Sequence, residues 1–426
     1  MQTRRELFRR AAVGAAAFGL PATCVEQVLA EEAPRLPSSK LLDTDPDRYW
    51  AELRRQWLLA PDHVNLNCGS VGCTPLPVLN AVIDHLLSAE AFREPAYPWF
   101  GYEENPRLRE LRDDLAGFLH CKRDELALVR NATEANNVVA NGLDLKAGDE
   151  VLLTDQEHSG GRCCWEQKAA RYGIKLNTVT LPRPPASTDE IIDRFMKAIT
   201  PRTRVVFFSH ITTTTGLVLP VKELCKLARD RGILSHVDGA HAIGQIPLDL
   251  TDLGCDFYAT SPHKWLCAPK GTGTLFVREE LLERLWVTIA SAGWKDRDLK
   301  AYRFSTFGTS NLSVMVGLKA ALDFHKVLGP ARVYARIHEL AKRLRDKLKQ
   351  YPQLRLANAS AEAFYAGLVS VEPVKGDLKR VLAELAARKV RVAGSPNRIR
   401  VATHVFTQST ELNAFLDIID RGLRDG

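Results

Sequence analysis

Not one Cys-x-x-Cys pair occurs in these 426 residues, and none of the nine cysteines lies beyond Cys267. Those two gaps argue against a zinc ribbon or a thioredoxin-type redox site. Cys68/Cys73 and Cys163/Cys164 read as buried small residues rather than disulfides. The chain also lacks a basic run interleaved with aromatics, an internal repeat, and an apolar stretch long enough for a stable membrane span. A net charge of +7 spread over this length calls for no nucleic-acid partner. What is present is globular in composition, 45% apolar and 26% charged. It is too long for a single small core, so two domains are expected.

The first thirty residues have their own pattern. Thr3-Arg4-Arg5-Glu6-Leu7-Phe8-Arg9-Arg10 precedes the Ala-rich run Ala11–Leu20, with small residues at Ala22 and Ala30 where a cut could fall. A basic region, a short apolar stretch and small residues predict a signal peptide over 1–30. The Arg4-Arg5 pair resembles the twin-arginine signal, which implies the twin-arginine export machinery as a partner. A periplasmic or otherwise extracytoplasmic location is then expected for a protein exported already folded with its cofactor. The competing reading is the basic amphipathic first helix of a cytosolic protein. Loss of 1–30, which holds four Arg and two Glu, would take the charge from +7 to +5.

After a leader and helix over 31–60, with the helix near Asp45–Leu58, apolar runs alternate with helical patterns. The runs are Leu126–Val129, Glu150–Leu153, Arg204–Phe208, Ile233–Val237, Phe257–Ala259 and Gly273–Val277, with helices such as Thr133–Gly142 and Val221–Arg231 between them. This α/β alternation predicts a mostly parallel sheet covered on both faces, in a large domain over 61–312. Helices at Val314–Val327 and Val333–Gln350, short strands at Leu368–Val371 and Ile399–Val401, and a last helix at Glu411–Arg424 predict a smaller α+β domain over 313–426. Ligands of such sheets bind beyond the strands' carboxyl ends. Five polar clusters fall there: Asn131–Glu134, Asp155 with His158, Thr212–Thr215, Asp238, and Ser261–Lys264.

Lys264 follows His263 at the end of an apolar strand, and Pro262, Trp265 and Leu266 argue against full exposure. Asp238 ends an earlier strand and can face a cationic ring nitrogen. The pair points to pyridoxal 5′-phosphate (PLP) held as a Schiff base on Lys264, with Asp238 as pyridinium partner. Asp238 also reads as the N-cap of a following helix. His241 is placed to bond the cofactor's phenolic oxygen, or to be a satisfied structural histidine. Thr133, with the amides of Ala132 and Glu134, suits a phosphate at a helix N-terminus, although simple capping explains the same residues. Ser261 and His263 add donors, and His158 lies where an imidazole can stack on a pyridine.

Taken in order, Val64-Asn-Leu-Asn-Cys-Gly-Ser-Val-Gly72, Asn131-Ala-Thr-Glu-Ala-Asn-Asn137, His158, His236-Val-Asp-Gly-Ala-His241, Ser261-Pro-His-Lys264 and Gly308-Thr-Ser-Asn311 resemble class V aminotransferases, in their isopenicillin N epimerase-like branch. The resemblance spans about residues 60–420. It implies fold type I, a large PLP domain of the seven-stranded type with a smaller domain, in a homodimer with sites at the interface. It further implies Lys264 as the Schiff-base lysine, Asp238 as ring partner and His158 as stacking residue. Thr133, Ser261 and His263 become phosphate ligands, and Thr309 reaches the neighbouring subunit's phosphate. Arg400 binds the substrate carboxylate, with Asn67 in the opening motif beside it and Arg398 as a nearby alternative. Where desulfurases of the family carry a reactive cysteine, Val390-Arg-Val-Ala-Gly-Ser-Pro-Asn397 has none. They also usually have Asn at Thr213 and Gln at His241, both ring-oxygen contacts.

The expected activity is on the amino group of an amino acid, free or within a peptide, through an external aldimine with Lys264 as base at Cα. Return of the proton on the opposite face gives epimerisation, and at the cofactor's C4′ transamination. Lyase or decarboxylase chemistry is the alternative. A secreted peptide or siderophore is the expected kind of substrate. A non-catalytic PLP-fold binding protein and a sulfur-mobilising protein are the readings from other classes.

Overall fold

The computed structural model describes residues 35–91, 105–357 and 361–424. The signal-peptide pattern at 1–30 lies outside these residues. No helix among them is long and apolar enough to cross a membrane.

After α1 (Pro46–Arg54), the chain forms β1 (Val64–Asn65), α2 (Leu76–Glu90) and α3 (Pro106–Leu119). It then alternates through β2 (Leu126–Val129), α4 (Ala132–Gly142), β3 (Glu150–Thr154), α5 (Ser159–Tyr172), β4 (Lys175–Val179), α6 (Thr188–Ala198), β5 (Thr203–Ser209), α7 (Val221–Arg229) and β6 (Leu234–Asp238). β7 (Phe257–Thr260) and β8 (Gly273–Val277) complete a seven-stranded sheet of order β2-β8-β7-β6-β5-β3-β4. Only β8 runs antiparallel to its neighbours. Side chains of these strands alternate between two apolar clusters. Leu126, Leu128, Leu152, Val206 and Phe208 join one, and Ala127, Val129, Leu153, Val205 and Phe207 the other. That parity is the period of a strand buried on both faces.

Beyond the sheet come α8 (Leu312–Leu328), α9 (Pro330–Leu348), β9 (Leu354–Leu356), β10 (Leu368–Pro373), α10 (Lys379–Ala387), β11 (Val390–Arg391), β12 (Ala393–Ser395), β13 (Arg398–Ala402) and α11 (Ser409–Arg424). Four of these strands make an antiparallel sheet, β12-β13-β10-β9, over a third apolar core that includes Leu340, Leu344, Phe415 and Ile419. β1 pairs with β11, and Asn67 bridges to Ala402. The chain thus touches its C-terminal unit before building the large sheet. Arg54 on α1 adds a two-pronged ion pair to Glu411.

Several sequence expectations need correction. β4 has no apolar run: it is the sheet's edge, and Lys175 and Thr178 face water. The helix expected over Asp45–Leu58 stops at Arg54. Asp238 caps no helix, because 239–245 is a series of turns in which Asp238 Oδ1 accepts from Ala240 N at 2.9 Å. Cys163 is exposed, whereas its neighbour Cys164 is buried.

Candidate active site

The carboxyl ends of β2, β3, β5, β6 and β7 open onto one cavity of about 460 Å³. Its lining includes Thr133, His158, Thr213, Asp238, His241, Ser261, His263, Lys264 and Arg400. The strand-end rule therefore brings together residues from Thr133 to Lys264, and Arg400 joins them from β13 of the C-terminal sheet. Thr309 is not among them: it is exposed, just ahead of α8.

Asp238 ends β6, almost fully buried, with both carboxylate oxygens engaged. Oδ1 accepts from Ala240 N and Oδ2 from Asn136 Nδ2 at 3.0 Å. Both oxygens act as acceptors, which fixes the side chain where it lines the cavity. Gly160 and Gly161 open α5 alongside it. A Cβ on Gly161 would stand 2.9 Å from Asp238 Oδ2, and one on Gly160 2.7 Å from Thr133 Oγ1. The space beside the carboxylate and the threonine hydroxyl exists because both positions lack side chains. His158 caps the same helix, its Nδ1 accepting from Gly160 N at 3.0 Å. Burial lowers its pKa, and the Lys264 charge lowers it further.

At the opposite end, α4 points its first turn into the cavity. Asn131 is the cap and accepts from Glu134 N at 2.9 Å, while Ala132 N donates to Ser261 Oγ at 3.1 Å. Both amides expected to hold an anion, those of Ala132 and Glu134, are therefore committed within the protein. Those left are the Thr133 hydroxyl and the Ser261 hydrogen, which is free to donate because its oxygen already accepts. His263 donates Nδ1–H to Thr272 O at 2.9 Å, so Nε2 offers a proton only as imidazolium. Lys270, which also lines the cavity, adds a cation that sequence reasoning passed over.

The least expected part of the site lies behind Lys264. Trp265 Nε1 donates to His241 Nδ1 at 3.2 Å, and His241 Nε2 faces Lys264 Nζ at 3.3 Å. An indole nitrogen only donates. Burial holds the His241 pKa far below its usual value, so the ring is neutral. Its single hydrogen must then sit on Nε2 and point at the lysine, where a neutral amine can accept it. An ammonium cannot. Burial also lowers the Lys264 pKa to about 8, against the pull of Asp238 and with the push of Arg400. Roughly one amine in ten is then neutral at pH 7, against about one in three thousand for a free lysine.

Two expectations follow from this chain of nitrogens. Cofactor capture by the apoprotein should rise with pH and level off above about 8. Stopped-flow reconstitution measures it, and a rate still climbing between pH 9 and 10 would contradict it. Trp265→Phe removes the donor that fixes the His241 tautomer. The midpoint of that profile should move up by about one pH unit, a tenfold loss of neutral amine at pH 7. An unmoved midpoint would show the indole to be packing alone.

Arg400 projects from β13 across to the large sheet. Nη1 donates to Thr213 O (2.9 Å) and Oγ1 (2.7 Å), and Nη2 to Asn67 Oδ1 (3.2 Å) and Ser70 Oγ (2.8 Å). Thr213 thus serves the arginine in addition to lining the cavity. Burial pushes the guanidinium down to about 10, still charged at neutral pH. Its buried Nε has no protein partner. Gly72 brings the opening motif against the lysine: its N–H donates to His263 O at 2.9 Å, and a Cβ there would collide with the Lys264 carbonyl. Glu157, between the Thr154 (2.5 Å) and Ser209 (2.6 Å) hydroxyls, is pushed up to about 7 by burial and secondarily by Asp238. Its only sequence signal was its place next to His158.

A buried nucleophilic amine, a carboxylate across the cavity, an imidazole at its wall and the Thr133 and Ser261 hydroxyls at a helix end fit PLP, and the glycine-lined space beside Asp238 and Thr133 leaves room for it. Comparison with known proteins agrees. The profile of the family described as Aminotransferase class-V matches residues 72–400. The isopenicillin N epimerase of Streptomyces clavuligerus is 36% identical over 392 residues, covering 87% of this chain and 98% of the relative. A probable cysteine desulfurase of Methanothermobacter thermautotrophicus is 31% identical over 293 residues, 66% of this chain and 71% of its own. A solved lysine-to-alanine mutant with glycine covalently linked to its PLP cofactor superimposes with a TM-score of 0.73 at 26% identity, covering 86% of this chain and 99% of that one. The fold is thus that of the PLP-dependent α/β enzymes, and pyridoxal 5′-phosphate is the cofactor. By its sequence and its fold, this chain belongs to the class V aminotransferase family of PLP-dependent enzymes.

Proposed function

We propose that the protein is exported by the twin-arginine route and acts at the α-carbon of an amino acid or a peptide-borne amino acid, as an epimerase or transaminase. The observation that carries the reading is the buried Lys264 amine, its pKa lowered to about 8, facing His241 and sharing one cavity with Asp238 and Arg400. PLP, when bound, supplies the electron sink that lets a bond at the substrate's Cα break. The Asp238 carboxylate holds the positive charge that makes the sink effective. Arg400, steadied by Asn67, Ser70 and Thr213, holds the substrate carboxylate and so fixes which Cα bond faces Lys264. Lys264 Nζ takes the Cα proton, and the His241 Nε2–H beside it favours the unprotonated amine that does so. Likeness to isopenicillin N epimerase favours return of the proton to Cα.

Export rests on the pattern at 1–30, and a secreted peptide or siderophore is the substrate kind it favours. A homodimer is supported by a mixed groove of about 420 Å³ beside Thr133, lined by Val287, Ile289 and Phe307 along with Arg130, Glu134 and Asn137, and close in sequence to the exposed Thr309. Bond cleavage at Cβ is the second reading, favoured by likeness to desulfurases and to a solved cystine C–S lyase. Against a persulfide route, no cysteine lines the cavity among the described residues, and none lies in 390–397.

Incubating the holoenzyme with amino acids and short peptides in deuterated water separates these outcomes by mass spectrometry. Deuterium at Cα without net loss is the expected result. Loss of a side-chain fragment or carbon dioxide would select the lyase or decarboxylase reading, and no change with any amine would defeat the enzyme reading.

A further inference from the structure

Lys270 is a cavity-lining cation that the proposed chemistry does not use. Four Lys and Arg side chains border that space: Arg130, Lys264, Lys270 and Arg400. Arg130 is bound to Glu134 through Nε (3.0 Å) and Nη2 (2.7 Å). Arg400 gives its Nη hydrogens to Thr213, Asn67 and Ser70, and Lys264 is the nucleophile. Lys270 donates to the neutral Thr74 hydroxyl at 3.1 Å and pairs with no carboxylate among the described residues. An ammonium has three hydrogens, so two remain for an anion.

Its place in the cavity is set by β8. Gly273, the first residue of that antiparallel strand, pairs with Val129, the last of β2. The residues ahead of β8 therefore lie at the carboxyl-end rim. A Cβ on Gly273 would stand 2.6 Å from Asn131 N, and Thr272 O accepts from His263 Nδ1 at 2.9 Å. The segment from Lys270 to Gly273 thus runs beside the first turn of α4 and beside Ser261–Lys264.

That end of the cavity is short of positive charge. The Thr133 and Ser261 hydroxyls are neutral donors, and the amides of Ala132 and Glu134 are taken. Burial lowers the His263 pKa, so its ring is uncharged at neutral pH. A phosphate monoester carries about −1.5 to −2 charges at pH 7. Held by hydroxyls alone, it would lose water and gain no counter-ion.

We propose that Lys270 is the charged member of the cofactor's phosphate site, neutralising the group that the Thr133 and Ser261 hydroxyls orient. A lysine suits the role as a compact point charge on a flexible stem. The assignment concerns how the cofactor is held and does not depend on which reaction the holoenzyme performs.

The test compares PLP with pyridoxal, which offers the same aldehyde to Lys264 and has no phosphate. Apoprotein of wild type, Lys270→Gln and Lys270→Arg is titrated with each, and dissociation constants are read from cofactor absorbance. In Lys270→Gln the constant for PLP should rise by at least about tenfold, the scale of one charge-assisted contact. That for pyridoxal should stay within about twofold, and Lys270→Arg should stay within about threefold of wild type for both. Phosphorus NMR of the holoproteins supplies a second readout. Wild type should keep the phosphate dianionic to a pH about one unit lower than Lys270→Gln does, the same tenfold seen as a shift. A PLP constant unchanged in Lys270→Gln would overturn the assignment and leave Lys270 a surface residue. Equal weakening of PLP and pyridoxal, or a phosphorus titration that does not move, would overturn it too, making Lys270 a support for the Lys264 loop.

Discussion

Lys264→Ala is expected to lower turnover by at least about 10⁴-fold, the scale seen when a covalent residue that doubles as proton carrier is removed. The fold should survive. Lys264 follows a fully buried strand, and its neighbours hold their own positions: Trp265 is completely buried, and Gly72 N–H bonds the carbonyl of His263, not the lysine side chain. What the variant loses is the acceptor for His241 Nε2–H, and the cavity is open enough for water to replace it. The decisive readout is covalent. Borohydride treatment of wild-type protein should fix the cofactor on the peptide containing residue 264. The variant should bind the cofactor more weakly and yield no such peptide. A variant that stays yellow and reducible, or turns over within tenfold of wild type, would show that another amine does the work.

The parts of this structure legible from sequence are those where one physical cause dominates. Strands β2, β7 and β8 are buried along their length and β5 nearly so, and each carries a short apolar run such as Leu126–Val129 or Val205–Phe208 that marks it in the sequence. Because such strands deliver their last residues to one rim, Asp238 and Ser261–Lys264 could be grouped without coordinates. β4 was illegible for the complementary reason: an edge strand, paired to β3 on one side only and with Lys175 and Thr178 exposed, carries polar residues and leaves no run.

Within the site, residue type was readable and partnership was not. Ala132 and Glu134 stand where an anion-binding helix should begin, yet their amides go to Ser261 and Asn131, a matter of side-chain direction. The choice between Arg398 and Arg400 was open in the sequence, since both leave one face of a short strand. Four acceptors contributed by Thr213, Asn67 and Ser70 settle which one enters the cavity. The Trp265–His241–Lys264 chain joins positions 24 and 23 residues apart in sequence through ring nitrogens. Nothing in the sequence says which nitrogen carries the hydrogen; only the indole, which cannot accept, decides it.

The second large effect is expected at Asp238, where charge and fold can be separated. Asp238→Asn keeps the shape, and the structure can absorb its new hydrogens. Oδ1 still accepts from Ala240 N. The amide nitrogen that takes the place of Oδ2 would face Asn136 Nδ2, donor against donor. But Asn136 Oδ1 is buried without a partner, so a flip of that amide presents an acceptor and leaves the number of unsatisfied groups unchanged. Stability should therefore change by no more than about 1 kcal/mol, a shift of a few degrees in Tm. Turnover should fall on the order of 10³-fold, or about 4 kcal/mol of barrier, because a neutral amide no longer holds a proton on the cofactor's ring nitrogen. A cofactor analogue with a permanently charged, alkylated ring nitrogen distinguishes the causes. If the lost carboxylate acts through charge, the analogue restores much of the variant's turnover and adds nothing to wild type. If turnover stays within tenfold of wild type, or if the analogue fails while Tm drops by more than about ten degrees, Asp238 is a structural residue of the β6 turn, and the electron-sink role assigned to it is wrong.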